Sequence, residues 1–175
     1  MAVLPLQTAR LLLRPVDDAD LPRLVSILGD GEVMRLALYE RPLTSDEAQH
    51  FINADFTRSR DDVTHLGVLC GNEDGAIVGF AGLLPCRYFP GDLEIGFVLG
   101  REHQGRGYAT EIGRKLLEVG FEALHQPRLL GLCDPENAGS RNVLGKLGMR
   151  EIDEITTPDR GRRVVYEISH SRRSP

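Results

Sequence analysis

Two glycines and an arginine fall together at His103-Gln104-Gly105-Arg106-Gly107-Tyr108-Ala109-Thr110. The stretch follows an apolar run, LEIGFVLG (93–100), and opens a long apolar-periodic one, EIGRKLLEVGFEAL (111–124). A helix N-terminus has unpaired amides and partial positive charge, and together they bind phosphate. Glycines let the backbone approach closely and take positive φ. The amides of Gly105 through Thr110 are therefore candidates to cradle a diphosphate, with Ala109 small and Arg101 and Arg106 adding positive potential. Each hydrogen bond to a charged group contributes roughly 1.5–3 kcal/mol, so a few hold such a ligand without a dedicated side chain. Taken alone, the same glycines also suit a plain strand-to-helix turn. Two other phosphate loops fit poorly. The pattern GxxxxGK[ST] is absent, and GxGxxG beginning at Gly105 meets Thr110 in place of its third glycine. The stretch also comes late in the chain, behind a hairpin, where a dinucleotide-binding βαβ unit does not usually begin.

The elements that must position this turn can be read from periodicity and punctuation. Residues 8–14 read as a strand, and Asp17 or Asp18 caps a helix over about 19–29. Residues 31–43 read as irregular. Thr44-Ser45-Asp46-Glu47 is a capping-box pattern ahead of a helix with Ala48, Phe51, Ile52 and Phe56 on its apolar face. Runs 63–70 and 76–84, joined by GNEDG, predict a hairpin, and 93–99 a further strand. A helix over 107–124, a strand over 128–133, a short helix ending at Gly148 and strands at 149–156 and 163–169 complete the chain. The order β-α-α-β-β-β-α-β-α-β-β predicts an α/β chain of the α+β type. Its sheet is mixed and mostly antiparallel, with one parallel crossover from 93–99 through 107–124 to 128–133.

The totals restrict the function classes. At 175 residues, with neither linker nor repeat, one domain over 1–175 is expected, its core about 8–170. A net charge of −5 argues against generic nucleic-acid affinity, and the basic end 171–175 reads as a solvated tail. No apolar run reaches about 18 residues, so no membrane span is expected. The opening lacks a basic segment followed by an apolar one, so no signal peptide is expected. Cys70, Cys86 and Cys133 are odd in number and far apart, which suits reduced thiols in a cytoplasm. No CxxC, HExxH or close His/Cys cluster is present, so no metal site is expected.

Gln104-Gly105-Arg106-Gly107-Tyr108-Ala109 matches Q/R-x-x-G-x-G/A, and thereby resembles the acetyl-CoA pyrophosphate loop of the GNAT acetyltransferase superfamily. LEIGFVLGREHQGRGYATEIGRKLLEVGF resembles its strand, loop and helix. PENAGSRNVLGKLGM and the opening TARLLLRPVDDADLPRL resemble the Rim-type branch, which acetylates N-termini of ribosomal proteins. The likeness covers roughly 8–170. It implies a mixed sheet of six to seven strands flanked by about four helices, with the parallel pair splayed around acetyl-CoA. It also implies backbone contacts from Phe97, Val98 and Leu99 to the pantetheine arm, and a cradle of Gln104, Gly105, Arg106, Gly107, Tyr108, Ala109 and Thr110. Asn137 is implied on the cofactor arm, and Ser140 near the sulfur.

The implied reaction is direct attack of an amine on the thioester, the amine belonging to a protein N-terminus, an amino-acid derivative or a small molecule. Glu94 is the candidate base, on the opposite strand face from Leu93, Ile95 and Phe97; a solvated or salt-bridged glutamate is the alternative. Many relatives carry a tyrosine acid where this chain has Leu144, which leaves Ser140 as the candidate proton donor. The same departure leaves open a non-catalytic acyl-CoA-binding or regulatory module. A homodimer is implied by the resemblance alone. His103, Tyr39, Tyr88, Phe89, Cys133 and Lys146 each admit a site role or a packing or solvated one. Acceptor specificity is expected in 30–43, 85–92 and 157–162, where Asp30, Glu32, Glu40 and Asp92 offer an acidic lining for a cationic amine.

Overall fold

The computed structural model describes residues 4–58 and 65–170. Residues 63–64 of the predicted second strand and the basic tail 171–175 lie outside the described residues. Eight strands form one sheet: β1 (Leu6–Gln7), β2 (Leu11–Arg14), β3 (Leu66–Gly71), β4 (Ile77–Pro85), β5 (Leu93–Leu99), β6 (Arg128–Cys133), β7 (Arg150–Thr157) and β8 (Gly161–Ser169). Their spatial order is β1-β2-β3-β4-β5-β6-β8-β7. Among these, β5–β6 is parallel and the other neighbours are antiparallel. Five α-helices accompany them: α1 (Leu21–Leu28), α2 (Gly31–Met34), α3 (Ser45–Asp55), α4 (Tyr108–Glu118) and α5 (Ala138–Lys146).

Local chemistry explains most boundaries. Asp17 caps a 3-10 turn that leads into α1, with Pro22 in the first helical turn. The Thr44–Glu47 capping box forms as predicted, and Arg41 adds a two-pronged pair to Glu47. The segment 31–43, expected to be irregular, contains α2, because the Asp30 carboxylate accepts from the amides of Glu32 and Val33. Of the expected strand 8–14, only Leu11–Arg14 is strand, and β1 precedes it at Leu6–Gln7. Thr8 turns the chain by bonding Leu11 through both its amide and its hydroxyl, so Leu6 and Gln7 fold back onto Leu13 and Leu12. The predicted helix to 124 leaves α-geometry at Val119, where a π turn runs to Ala123.

Strand alternation separates two faces. Leu93, Ile95 and Leu99 join Ile112 and Leu116 of α4 and Leu144 of α5 in one core. Val98, Phe80, Val68 and Leu66 join α1, α2 and α3 in a second core on the other face. A third, small cluster of Cys86, Leu130 and Val165 lies on that second face, beyond β5. The gap between the second and third clusters is where the chemistry-bearing residues converge.

Candidate active site

The parallel pair is joined at one end only. Its register couples Leu93 to Leu129 and Glu94 to Leu130, and no further residues pair. β5 continues on β4 as far as Leu99, and β6 continues on β8 as far as Cys133. Each strand therefore keeps its outer neighbour while the two diverge, and the β6-facing edge of β5 has no strand partner beyond Glu94. An ion-pair staple marks the closed end. Arg128 makes a two-pronged pair with Asp92 (2.9 and 2.6 Å) and also bonds Glu167 (2.8 Å).

Two cavities meet at the open end. One, of about 640 Å³, lies against the start of α4 and α5; the other, of about 340 Å³, lies on the α1–α3 side. Both are lined by Phe97, Val98, Asn137 and Ser140. The larger is also lined by Leu99, Gln104, Gly105, Gly107, Tyr108, Ala109 and Thr110. Arg106 stands apart from the rest of that stretch, outside the lining.

The turn at the mouth of the larger cavity requires glycine for its conformation. Gly105 and Gly107 have φ of +72° and +80°. A β-carbon at Gly105 would meet nothing, so backbone strain, not crowding, is what glycine avoids there. The first backbone bond of α4 runs from the Glu111 amide to the Gly107 carbonyl (3.0 Å). The amides of Tyr108, Ala109 and Thr110 precede it and have no partner within the helix. Gln104 anchors the turn by donating to the Leu99 carbonyl (3.1 Å). Such a cradle fits the diphosphate of a CoA-type ligand, and Lys146 lines the same cavity.

A brace holds the turn from the far end of the chain. Arg10 donates to the Arg106 carbonyl (2.9 Å) and to Glu111 (2.6 Å), and its guanidinium lies 4.7 Å from the Tyr108 ring centre. Thr8 (2.6 Å) and the Arg10 amide (2.8 Å) also donate to Glu111. Burial pushes the Glu111 carboxyl upward, but these donors outweigh it and hold the group below its ordinary value. Arg10 and Glu111 escape a sequence reading because the contact spans most of the chain, and no local pattern signals it. Arg101, expected to add free positive potential, is instead paired with Asp30 (2.6 Å).

On the other side of the wedge, Glu94 points into the smaller cavity. It shares the strand face of Val98, opposite Leu93 and Ile95, as the alternation predicts. Its side chain is 15% exposed. Burial raises its carboxyl above the ordinary value; Arg160, a bond from the Cys86 thiol, and Arg87 and Arg163 pull partly the other way. The Cys86 thiol is itself pushed up to about 11, by burial and by the Glu94 charge.

Asn137 is the N-cap of α5: its carbonyl oxygen accepts from the Ser140 amide (3.0 Å) and its amide donates to the Leu36 carbonyl (3.2 Å). Ser140 is thus in the first turn of α5 rather than at its cap. Leu144 is buried against Gly131, whose added β-carbon would meet it at 2.6 Å.

The three segments expected to hold specificity do surround the smaller cavity, through Leu36–Leu38, Arg87 and Tyr88, and Arg160. None of the four carboxylates expected there lines that cavity, whose acidic residues are Asp55, Glu94 and Asp134. Asp30 is paired with Arg101, Glu40 with Arg163, and Asp92 with Arg128, while Glu32 lines the larger cavity. Tyr39 carries the Arg160 guanidinium over its ring at 5.8 Å. The Tyr88 hydroxyl donates to Asp159, and Phe89 packs on the Cys86 cluster. His103 lies near Glu102 (3.5 Å) and beside Tyr108. Cys133 is buried, and that burial pushes its thiol up to about 11, which leaves it protonated near neutrality. Among the described residues, no cluster of His, Cys, Asp and Glu is arranged to hold a metal. Nor is any helix among them long and apolar enough to cross a membrane.

The comparisons with known proteins agree with this geometry. The family described as "Acetyltransferase (GNAT) domain" matches residues 10–150. The uncharacterized N-acetyltransferase YnaD of Bacillus subtilis is 31% identical over 144 residues, 82% of this chain and 81% of that protein. A GNAT-family acetyltransferase structure from Bacillus anthracis superposes with a TM-score of 0.80 at 24% identity, over 96% of this chain and 99% of that one. Spermidine N-acetyltransferase from Vibrio cholerae, solved with CoA and spermine, shares the fold with a TM-score of 0.73 at 19% identity, over 92% and 96% of the two chains. With its strand wedge, glycine turn and family match taken together, this chain belongs to the GNAT acetyltransferases.

Proposed function

We propose that the protein transfers the acetyl group of acetyl-CoA to a primary amine by direct attack within a ternary complex, the described core acting as one catalytic domain. The observation that carries this reading is the wedge. β5 and β6 pair only at Leu93–Leu129 and Glu94–Leu130, and the two cavities meet where they part. A thioester lying in that gap has its diphosphate at the turn Gln104–Thr110, its pantetheine arm along the free edge of Phe97, Val98 and Leu99, and its carbonyl within reach of a β5 amide. The acceptor amine enters from the Glu94 side.

Glu94 takes the amine's proton, directly or through water, and burial holds it nearer the range where a base works. The nitrogen then forms its bond to the acetyl carbon as the carbon–sulfur bond breaks. The leaving thiolate needs little help, since a thiol of pKa about 8.5 is a tolerable leaving group at neutral pH. Ser140 is the candidate to return a proton to it, a reading supported by its place in the lining of both cavities. Asn137 supports the site by capping α5 and tying it to Leu36, with one amide hydrogen left for the cofactor arm. The finer placement in the Rim-type branch rests on the Asn137–Ser140 segment and the opening residues, and it makes a protein N-terminus one acceptor to test.

Calorimetric titration with acetyl-CoA, CoA, ATP and NAD tests the cofactor. Selective binding of the two CoA species is expected, with loss in Gly107→Glu, which strains a positive-φ position and places a carboxylate in the cradle. Equal binding of ATP and NAD, or no binding of any of the four, would end this reading.

A further inference from the structure

The smaller cavity contains a buried cation with unmet hydrogen-bonding capacity. Arg160 lines it with a side chain 15% exposed. Its Nε is buried and has no hydrogen-bond partner among the described residues. Its nearest carboxylate oxygen is that of Glu94, 3.8 Å from Nη1, too far for a hydrogen bond. Its guanidinium also lies over the face of Tyr39 and feels the Asp159 carboxylate at longer range. Buried guanidinium donors are ordinarily satisfied, because leaving them dry is costly. The turn that carries Arg160 is nevertheless firmly built. The Arg160 amide donates to the Thr157 hydroxyl (3.0 Å), which donates to the Gly161 carbonyl (3.1 Å), and Tyr88 latches Asp159. The guanidinium is therefore held in place facing the cavity, without the oxygen ligands it is shaped to grip.

The neighbouring charges do not supply them. Arg163, also in the lining, is matched by Glu40 (3.0 Å) and Asp134 (3.3 Å). Asp159 faces Arg87 (3.7 Å) as well as Tyr88. Asp55 and His65 lie at the other end, where Phe56 bridges to Leu66. Arg87 and Arg163 are thus matched by carboxylates of their own, and Arg160 is the guanidinium of this lining left without a hydrogen-bonded carboxylate among the described residues.

We infer that the acceptor is a primary amine bearing a carboxylate a few bonds from its nitrogen, and that Arg160 receives that carboxylate while Glu94 receives the amine. The spacing suits this arrangement. Glu94 and Arg160 are too far apart to bond each other and close enough to hold the two ends of an α- or β-amino carboxylate. Arg87, in the same lining, is a second cation on that side. A polyamine would instead place a further positive charge against Arg160. The inference rests on the acetyl-transfer reading and narrows its substrate class. Its chemistry is shared by free amino acids and by peptides that begin with Asp or Glu.

The test is an acceptor panel with acetyl-CoA: free amino acids against their α-amides, peptides beginning with Asp or Glu against Asn or Gln, and spermidine. The carboxylate member of at least one pair is expected to be favoured about tenfold to a hundredfold in kcat/KM, the range of one or two charged hydrogen bonds. The favoured pair then identifies the source. In Arg160→Gln that ratio falls towards one, and Arg160→Lys keeps part of it. Because the ratio is taken within one protein, a general change in Glu94 basicity cancels. Preference for amides or spermidine, or an unchanged ratio in Arg160→Gln, overturns the inference. If acetyl-CoA binds and no amine is acetylated, the transfer reading fails. Calorimetry of the same amines on the CoA-loaded protein then decides the binding claim separately. Carboxylate-dependent binding that is lost in Arg160→Gln sustains it, and its absence overturns it.

Discussion

Glu94 owes its character to opposed influences on a single carboxyl. Burial favours the neutral form; Arg160, the Cys86 thiol, Arg87 and Arg163 favour the charged one; burial prevails, so the group titrates above the ordinary carboxylate value. As a base it must be ionised, so activity is expected to rise with pH through that raised value and then level off. Glu94→Gln is expected to lower kcat by about a hundredfold or more and to erase this limb, with acetyl-CoA affinity retained. Persistence of the same limb in the variant would assign it to another group. The linkage to stability has a definite sign. A carboxyl whose pKa is raised by folding contributes stability below its unfolded value, and that contribution is lost as pH rises through the folded value. Above that raised value the ionised Glu94 therefore opposes folding, and Glu94→Gln is expected to melt at a temperature no lower than the parent. A markedly lower melting temperature would mean that Glu94 is a structural ion-pair partner. Arg160 is coupled to the same carboxyl, which is why its own test compares acceptors within each variant.

At the scale of elements, the wedge exists because β5 and β6 are clamped at one end and released at the other. Arg128 supplies the clamp by bonding Asp92 and Glu167 across the last paired residues. Arg128→Ala leaves Asp92, 15% exposed, without its partner. The expected cost is about 1–3 kcal/mol, towards the lower end because the guanidinium is partly solvated. Thermal melting and acetyl-CoA affinity should fall together; an unchanged melting temperature would show a screened surface pair. Most elements were legible from local signals: the Thr44–Glu47 box, the hairpin of β3 and β4, and the single parallel crossover. What was not legible depends on distant contacts. Thr8 turns the chain at Leu11, so the expected first strand begins late, and Thr8 and Arg10 reach Glu111 and brace the glycine turn. Asp30 caps α2 and also binds Arg101, so one misread segment and one misplaced charge share a cause. The glycine turn could be named from its own residues, and Glu94 from its place on a strand of clear period, whereas Asn137 and Ser140 were named through the family resemblance of their segment. Arg160 could be placed only as part of a turn, since its orientation depends on Tyr39, Thr157 and the Tyr88–Asp159 latch.

For the molecule as a whole, the two faces of the sheet differ in how they hold together. The face beneath α4 and α5 carries one core that runs from Leu6 on β1 to Ile168 on β8. The opposite face carries two clusters, one under α1–α3 and a small one of Cys86, Leu130 and Val165, with the smaller cavity lined by residues of both. Cohesion across the wedge thus rests on one face, the Arg128 staple and polar ties: Asn137 to Leu36, Arg163 to Leu38 and Glu40, and Tyr88 to Asp159. A ligand that fills the wedge contacts β5, the start of α4 and the start of α5 at once, and it binds the folded chain alone. At a concentration a hundred times its Kd, such a ligand stabilises by about 2.7 kcal/mol, which for a chain of this size raises the melting temperature by roughly 5–10 °C. Acetyl-CoA is expected to produce that shift, CoA a similar one, and ATP and NAD little, in a thermal melt followed by circular dichroism. Gly107→Glu should abolish the shift, and Glu94→Gln should retain it, since Glu94 lines the smaller cavity and not the one at the glycine turn. An equal shift from ATP would mean that the turn recognises any polyphosphate, and that the wedge adds nothing to its selectivity.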